Sequence, residues 1–124
     1  MLIKEIMKKP YVIEKDITLK KAAELMKKHD ISSIIVVNKN KVAGIITHED
    51  LIENFSENKN VFQIMSKKVI TLNENDKTDY AIGLMKKNKI SILPVLDGEG
   101  HLIGVVHIKE LIKQLSDGED FLIN

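Results

Sequence analysis

The sequence predicts an α/β (α+β) fold, with two tandem β-α-β-β-α repeats packed by pseudo-two-fold symmetry. Three observations lead there. First, the chain repeats itself. "LKKAAELMKKHDISSIIVV" from Leu19 aligns with "TDYAIGLMKKNKISILPVL" from Thr78, placing Ala22 on Ala81, Met26 on Met85 and Ser32 on Ser91. "VAGIITHEDLI" from Val42 then matches "LIGVVHIKELI" from Leu102, and "EIM" at Glu5 has an echo in "QIM" at Gln63. Second, the hydrophobic period changes from helical to extended at the same places in both copies. Third, a copy of about 55 residues would bury little core alone, so the two are expected to pack sheet to sheet as one unit.

The elements follow in order. "YVIEKDI" and "VITLNEN" read as an opening strand. Leu19, Ala22, Ala23 and Met26 fall at i, i+3, i+4 and i+7, one apolar face of a helix. Thr78, Ala81, Ile82 and Met85 repeat that face. "SIIVV" and "SILPVL" are short strands rich in branched residues. Pro94 lies within the second of them and implies an edge or strand-end position, because proline cannot donate to a ladder. "NKNK" and "DGEG" are hairpin turns, "VAGII" and "HLIGVV" the returning strands, and "HEDLIENF" and "IKELIKQL" short closing helices. The polar stretch 53–60 divides the chain into repeats at 1–58 and 59–124. In the tail "GEDFLIN", Phe121, Leu122 and Ile123 call for cover, for instance from a partner subunit.

Composition narrows the function. The chain has 124 residues, 44% hydrophobic and 30% charged, a globular balance. Its net charge of +1 gives no strong pull toward nucleic acid or an anionic membrane. Cysteine is absent, which excludes disulfides and thiolate chemistry. No apolar run suits a membrane span, and the charged N-terminus is unlike a signal peptide, so a cytoplasmic location is expected. All nineteen basic residues are lysine. The lysine and isoleucine excess fits a thermophilic source or the codon bias of an AT-rich genome.

With "ISSIIVV…GIITHEDL" followed by "ISILPVL…GVVHIKEL", the chain resembles the cystathionine-β-synthase (CBS) domain pair, or Bateman module, over nearly its whole length. The resemblance implies a sensor that binds adenosine-containing ligands in clefts between the repeats, assembles as a homodimer and regulates a partner protein. Such pairs are often attached to an enzyme, channel or transporter; with nothing attached here, it implies a free-standing module.

The family's nucleotide signature is a glycine, two apolar residues, Ser or Thr, two variable residues and Asp. Gly44, Ile45, Ile46, Thr47, His48, Glu49 and Asp50 match it throughout. A carboxylate can accept hydrogen bonds from both ribose hydroxyls, strengthened by its charge. Thr47 can donate to a phosphate or carboxylate beside a helix start. The same residues also read as a capping box, which needs no ligand. In the second copy His107 replaces Thr and Glu110 replaces Asp, so a weak or empty second site is expected. The resemblance further implies base contacts from Ile17, Thr18, Ala22, Ile31, Ser32 and Ser33 in the first site. In the second they come from Asp76, Lys77, Ala81, Ile90, Ser91 and Ile92, with Pro94 beside them. Relatives that hold nucleoside phosphates usually face them with arginine, histidine or lysine. The strand starts here carry Ser33 and Ile92, and there is no arginine. S-adenosylmethionine and methylthioadenosine are therefore expected to fit better than ATP, with AMP also in the class.

Catalysis is not expected. The sequence has no P-loop and no nucleophile elbow, and histidines 29, 48, 101 and 107 have no supported metal spacing. The rival reading is a macromolecule-binding subunit with vestigial nucleotide sites, contacting protein or, less favoured, nucleic acid through lysine pairs such as Lys20–Lys21 and Lys86–Lys87.

Overall fold

Local pairing builds two small sheets of identical design. The computed structural model describes residues 1–56 and 58–118. A 3-10 helix (Ile3–Glu5) precedes β1 (Val12–Ile13), α1 (Leu19–His29), β2 (Ser33–Asn38), β3 (Lys41–Thr47) and α2 (His48–Glu53). Then come α3 (Val61–Ile64), β4 (Leu72–Asn73), α4 (Thr78–Asn88), β5 (Ile92–Leu96), β6 (Leu102–His107) and α5 (Ile108–Gly118). One sheet has the order β1-β2-β3 and the other β4-β5-β6, and in each the first pair is parallel and the second antiparallel. The β-α-β-β-α reading of both copies therefore holds. The opening strands shrink to two residues each, and α5 runs on to Gly118. Phe121, Leu122 and Ile123 lie outside the described residues.

Helices α1 and α4 stop in the same way, and α1 has a readable start. The Thr18 hydroxyl accepts from the Lys21 N–H at the start of α1. Both helices end on a left-handed residue, Asp30 (φ 53°) and Lys89 (φ 53°), after which Ile31 and Ile90 donate back to Met26 and Met85. The hairpins differ. Lys39 and Asn40 both have positive φ, the signature of a tight two-residue turn between β2 and β3. The longer loop between β5 and β6 is organised by Asp97, whose Oδ1 accepts from the N–H groups of Glu99 and His101. Those bonds, His101 first and then Glu99, hold the Asp97 carboxyl below the usual carboxylate range.

Pro94 does not mark an edge. β5 is the central strand of its sheet, and Pro94 is buried in its middle. It faces Val105, which exchanges both backbone bonds with Lys8 on its other side. Pro94 and Val105 thus form a pair without mutual hydrogen bonds, and the proline nitrogen points toward the β4 flank. At the matching place in the first copy, the Ile35 N–H donates to Tyr11 O. Pro94 cannot do so, and β4 pairs with β5 only from Leu72 opposite Val95 onward. The proline is tolerated because it removes one bond at the frayed end of a short parallel pair.

The sequence repeats and the compact units are cut differently. One unit is 10–69 and the other joins 1–9 to 70–124, whereas the repeats divide at 58. The core of the first holds Leu19, Ala22, Met26, Ile34, Val36, Ile46 and Val61. That of the second holds Ile3, Leu72, Ala81, Met85, Leu93, Val95, Val106 and Leu111. Val61 and Ile3, each completely buried, anchor the segments that open the two repeats. Burying an aliphatic side chain of this kind stabilises by roughly 1.5–3 kcal/mol. That is enough to hold a short leading segment against its sheet.

Candidate functional site

In the unit 10–69, the end of β3 and the start of α2 form a rigid corner. Ser33 opens β2 opposite Thr47, and the His48 N–H donates to Ser32 O at 3.1 Å. Asp50 reaches back from the third helical position. Its Oδ2 accepts the Thr47 N–H at 2.8 Å and the Thr47 hydroxyl at 3.1 Å, and the Asp50 N–H returns a bond to Thr47 Oγ1 at 3.4 Å. This is a complete capping box, and it commits the proton of the Thr47 hydroxyl to Asp50. One carboxylate oxygen does all the capping. Among the described residues Asp50 Oδ1 accepts no hydrogen bond, and the side chain is half-buried at the end of its sheet.

The other first-site residues gather at the same unit's segment junctions. The Ile17 carbonyl accepts the Val61 N–H at 2.9 Å, and Thr18 bridges Asn60. Ile45 exchanges both backbone bonds with Ser66. The segment 60–66 therefore ties Ile17 and Thr18 to the strand that carries Thr47. Asp16 adds a clamp that sequence reading missed: its Oδ1 accepts the Phe62 N–H at 2.9 Å and its Oδ2 the Asn60 amide at 3.3 Å. Ile31 is half-buried, Ser32 exposed and Ser33 buried. Ala22 lies wholly inside the core and has no surface to offer a ligand. Gly44 serves packing: a Cβ there would sit 2.5 Å from Met65 Sδ and 3.0 Å from Ser66 O. The "QIM" echo and the glycine are thus one interlocked feature, and Met7 meets Gly104 in the same way at 2.6 Å.

The second unit reproduces the corner with different chemistry. The Ile108 N–H donates to Ser91 O at 2.8 Å, and Ile92 pairs with His107. Glu110 reaches back as Asp50 does, its Oε1 accepting the His107 N–H at 3.0 Å. Its Oε2 meets the Lys8 ammonium at 3.4 Å, and Glu110 is only 8% exposed. Burial pushes the His107 imidazole below the ordinary histidine value. Glu110 opposes that, while Lys109 and Lys8 add to it. His107 therefore favours its neutral form near pH 7. Asp76 Oδ2 accepts the Asn73 N–H and its carbonyl accepts from Ile3, while Lys77 is exposed and Ile90 half-buried.

Two separate stretches of the chain, residues 3–57 and 61–117, match the model of the CBS domain. The chain belongs to the CBS domain family. It is similar to the CBS domain pair of protein MJ0100, solved in complex with 5'-methylthioadenosine and S-adenosyl-L-methionine. That structure superposes with a TM-score of 0.88 at 30% identity, over 96% of this chain and 98% of the other. An uncharacterized protein of Methanocaldococcus jannaschii is 35% identical, over 93% of this chain and 91% of its own length. The inosine-5'-monophosphate dehydrogenase of Thermoplasma acidophilum is 36% identical over 107 residues, 86% of this chain. The chain spans about a fifth (22%) of that dehydrogenase, so the match is to its CBS part and carries no dehydrogenase activity with it. Among the described residues no helix is long and apolar enough to cross a membrane, and no three His, Cys, Asp or Glu side chains group to hold a metal.

Proposed function

We propose that this CBS domain pair is a regulatory sensor for an adenosine-containing ligand, held by its ribose at Asp50. The observation that carries the reading is the open oxygen of Asp50. The capping box fixes the carboxylate through Oδ2 and leaves Oδ1 for a hydroxyl donor. A pre-oriented carboxylate binds a diol without first ordering itself, and its charge strengthens each bond. Ile31, Ser32, Ser33 and Ile45, with Ile17 and Thr18, supply apolar surface and backbone groups for the base. The complex of the similar MJ0100 pair with methylthioadenosine and S-adenosylmethionine supports that class.

Charge favours a ligand of little negative charge. Arginine is absent, Ser33 is neutral, and the Thr47 hydroxyl is engaged by Asp50. The ligand would act by favouring one arrangement of a homodimer that a partner protein reads, which requires different affinities for the two arrangements. Isothermal titration of the dialysed protein with methylthioadenosine, S-adenosylmethionine, AMP and ATP tests this. Methylthioadenosine and S-adenosylmethionine are expected to bind more tightly than ATP, and the reverse order would overturn the charge argument. Absence of binding by all four would sink the sensor reading and leave a macromolecule-binding subunit, whose attachment to nucleic acid would weaken steeply with salt.

A further inference from the structure

We infer that Lys8 decides how many ligands the chain takes, by closing the second carboxylate so that each chain holds one. The inference rests on the ribose role proposed for Asp50.

The two corners are built on the same frame. Ser66 bridges Ile45 on β3, and Lys8 bridges Val105 on β6, so Lys8 and Ser66 occupy corresponding places beside the two strands. Three substitutions then separate the corners. Thr47 brings a hydroxyl, so a single oxygen of Asp50 satisfies both the backbone N–H and that hydroxyl. His107 brings no hydroxyl, and Glu110 uses Oε1 for the N–H alone. The extra methylene of Glu110 turns its other oxygen to the Lys8 ammonium. Ser66, where Lys8 would stand in the first unit, has no charge to offer Asp50.

The result is one carboxylate with an unengaged oxygen and one with none. A ligand diol at Glu110 would have to displace a charged donor from a carboxylate that is nine-tenths buried. Hydroxyls are weaker donors than an ammonium, so the exchange is unfavourable. The Lys8 backbone is held by two bonds to Val105, both 2.9 Å, which fixes where its side chain leaves the main chain beside Glu110. Lys8 is 65% exposed along its side chain, and its replacement leaves no cavity.

The test gives the second corner the residues of the first. Wild type, Lys8→Ser, and the triple variant Lys8→Ser/His107→Thr/Glu110→Asp are titrated with methylthioadenosine, with folding checked by circular dichroism and melting. One ligand per chain is expected for the wild type and two for the triple variant. The triple variant combined with Asp50→Ala should return to one. A wild type that binds two ligands, or a folded triple variant that still binds one, overturns the role of Lys8 while leaving the Asp50 reading in place. A wild type that binds none removes the Asp50 reading itself. That outcome also overturns the inferred count of one ligand per chain.

Discussion

Asp50 and Glu110 perform the same local task. Each sits at the third position of its helix and each reaches back to the N–H of the residue that ends the preceding strand. They differ in what remains after that task. Among the described residues Asp50 keeps one oxygen without a partner, whereas Glu110 is buried and tied to Lys8. Duplication supplied two equal frames, and a few side chains made one a candidate binding group and the other a structural tie. A helix-capping acid and a ribose-binding acid are therefore compatible roles, separated by whether the second oxygen has a partner.

The largest effect that would break this contrast concerns affinity. Asp50→Ala should remove charge-assisted bonds worth about 1.5–3 kcal/mol, a loss of about 10- to 150-fold in ligand binding. Glu110→Ala should leave affinity unchanged while lowering stability by about 1 kcal/mol through the lost cap. Equal losses of affinity in the two variants, read by calorimetry, would end the distinction.

The glycines sharpen it next. Gly44→Ala should cost about 1–3 kcal/mol in chemical denaturation, because a Cβ would press on both Met65 and the Ser66 carbonyl. Gly104→Ala has Met7 side-chain atoms as its nearest contacts and should cost less, with Met7→Ala relieving the two tightest of them. Gly83 in α4 has open space around it, so Gly83→Ala should stabilise by about 0.5–1 kcal/mol.

The smallest effect is on pH dependence. Burial depresses the His107 pKa in the folded state, so the unfolded chain takes up the proton first as pH falls. Stability from this residue is complete above the ordinary histidine value of about 6.5 and declines as pH drops below it, levelling off beneath the folded value. Melting temperature should therefore fall as pH drops below about 6.5, and His107→Gln should flatten that slope. An unchanged slope would show that the second corner admits water to His107 as freely as the unfolded chain does.

Much of this was legible in the residues. The repeat fixed the element order, since each copy carries the same apolar spacing from Leu19 and from Thr78. The capping box at Thr47 and Asp50 was legible because it joins residues three apart. The "EIM" and "QIM" echo was visible too, but not its purpose, because the methionines meet their glycines only across the fold. Pro94 was misplaced because propensity speaks of a ladder bond and not of which flank it faces. Asp16 went unnoticed since its partners, Asn60 and Phe62, lie in the other sequence repeat.

By itself the sequence determined the tandem β-α-β-β-α order, the matching signature at Gly44 to Asp50 and the absence of arginine. These depend on local spacing and composition, which a linear chain displays directly. Only the tertiary structure decided that 1–9 joins 70–124, that 60–69 joins the first unit, and that Lys8 meets Glu110. Those pairings are between residues far apart along the chain, and the interactions that select them act through space once the sheets have formed.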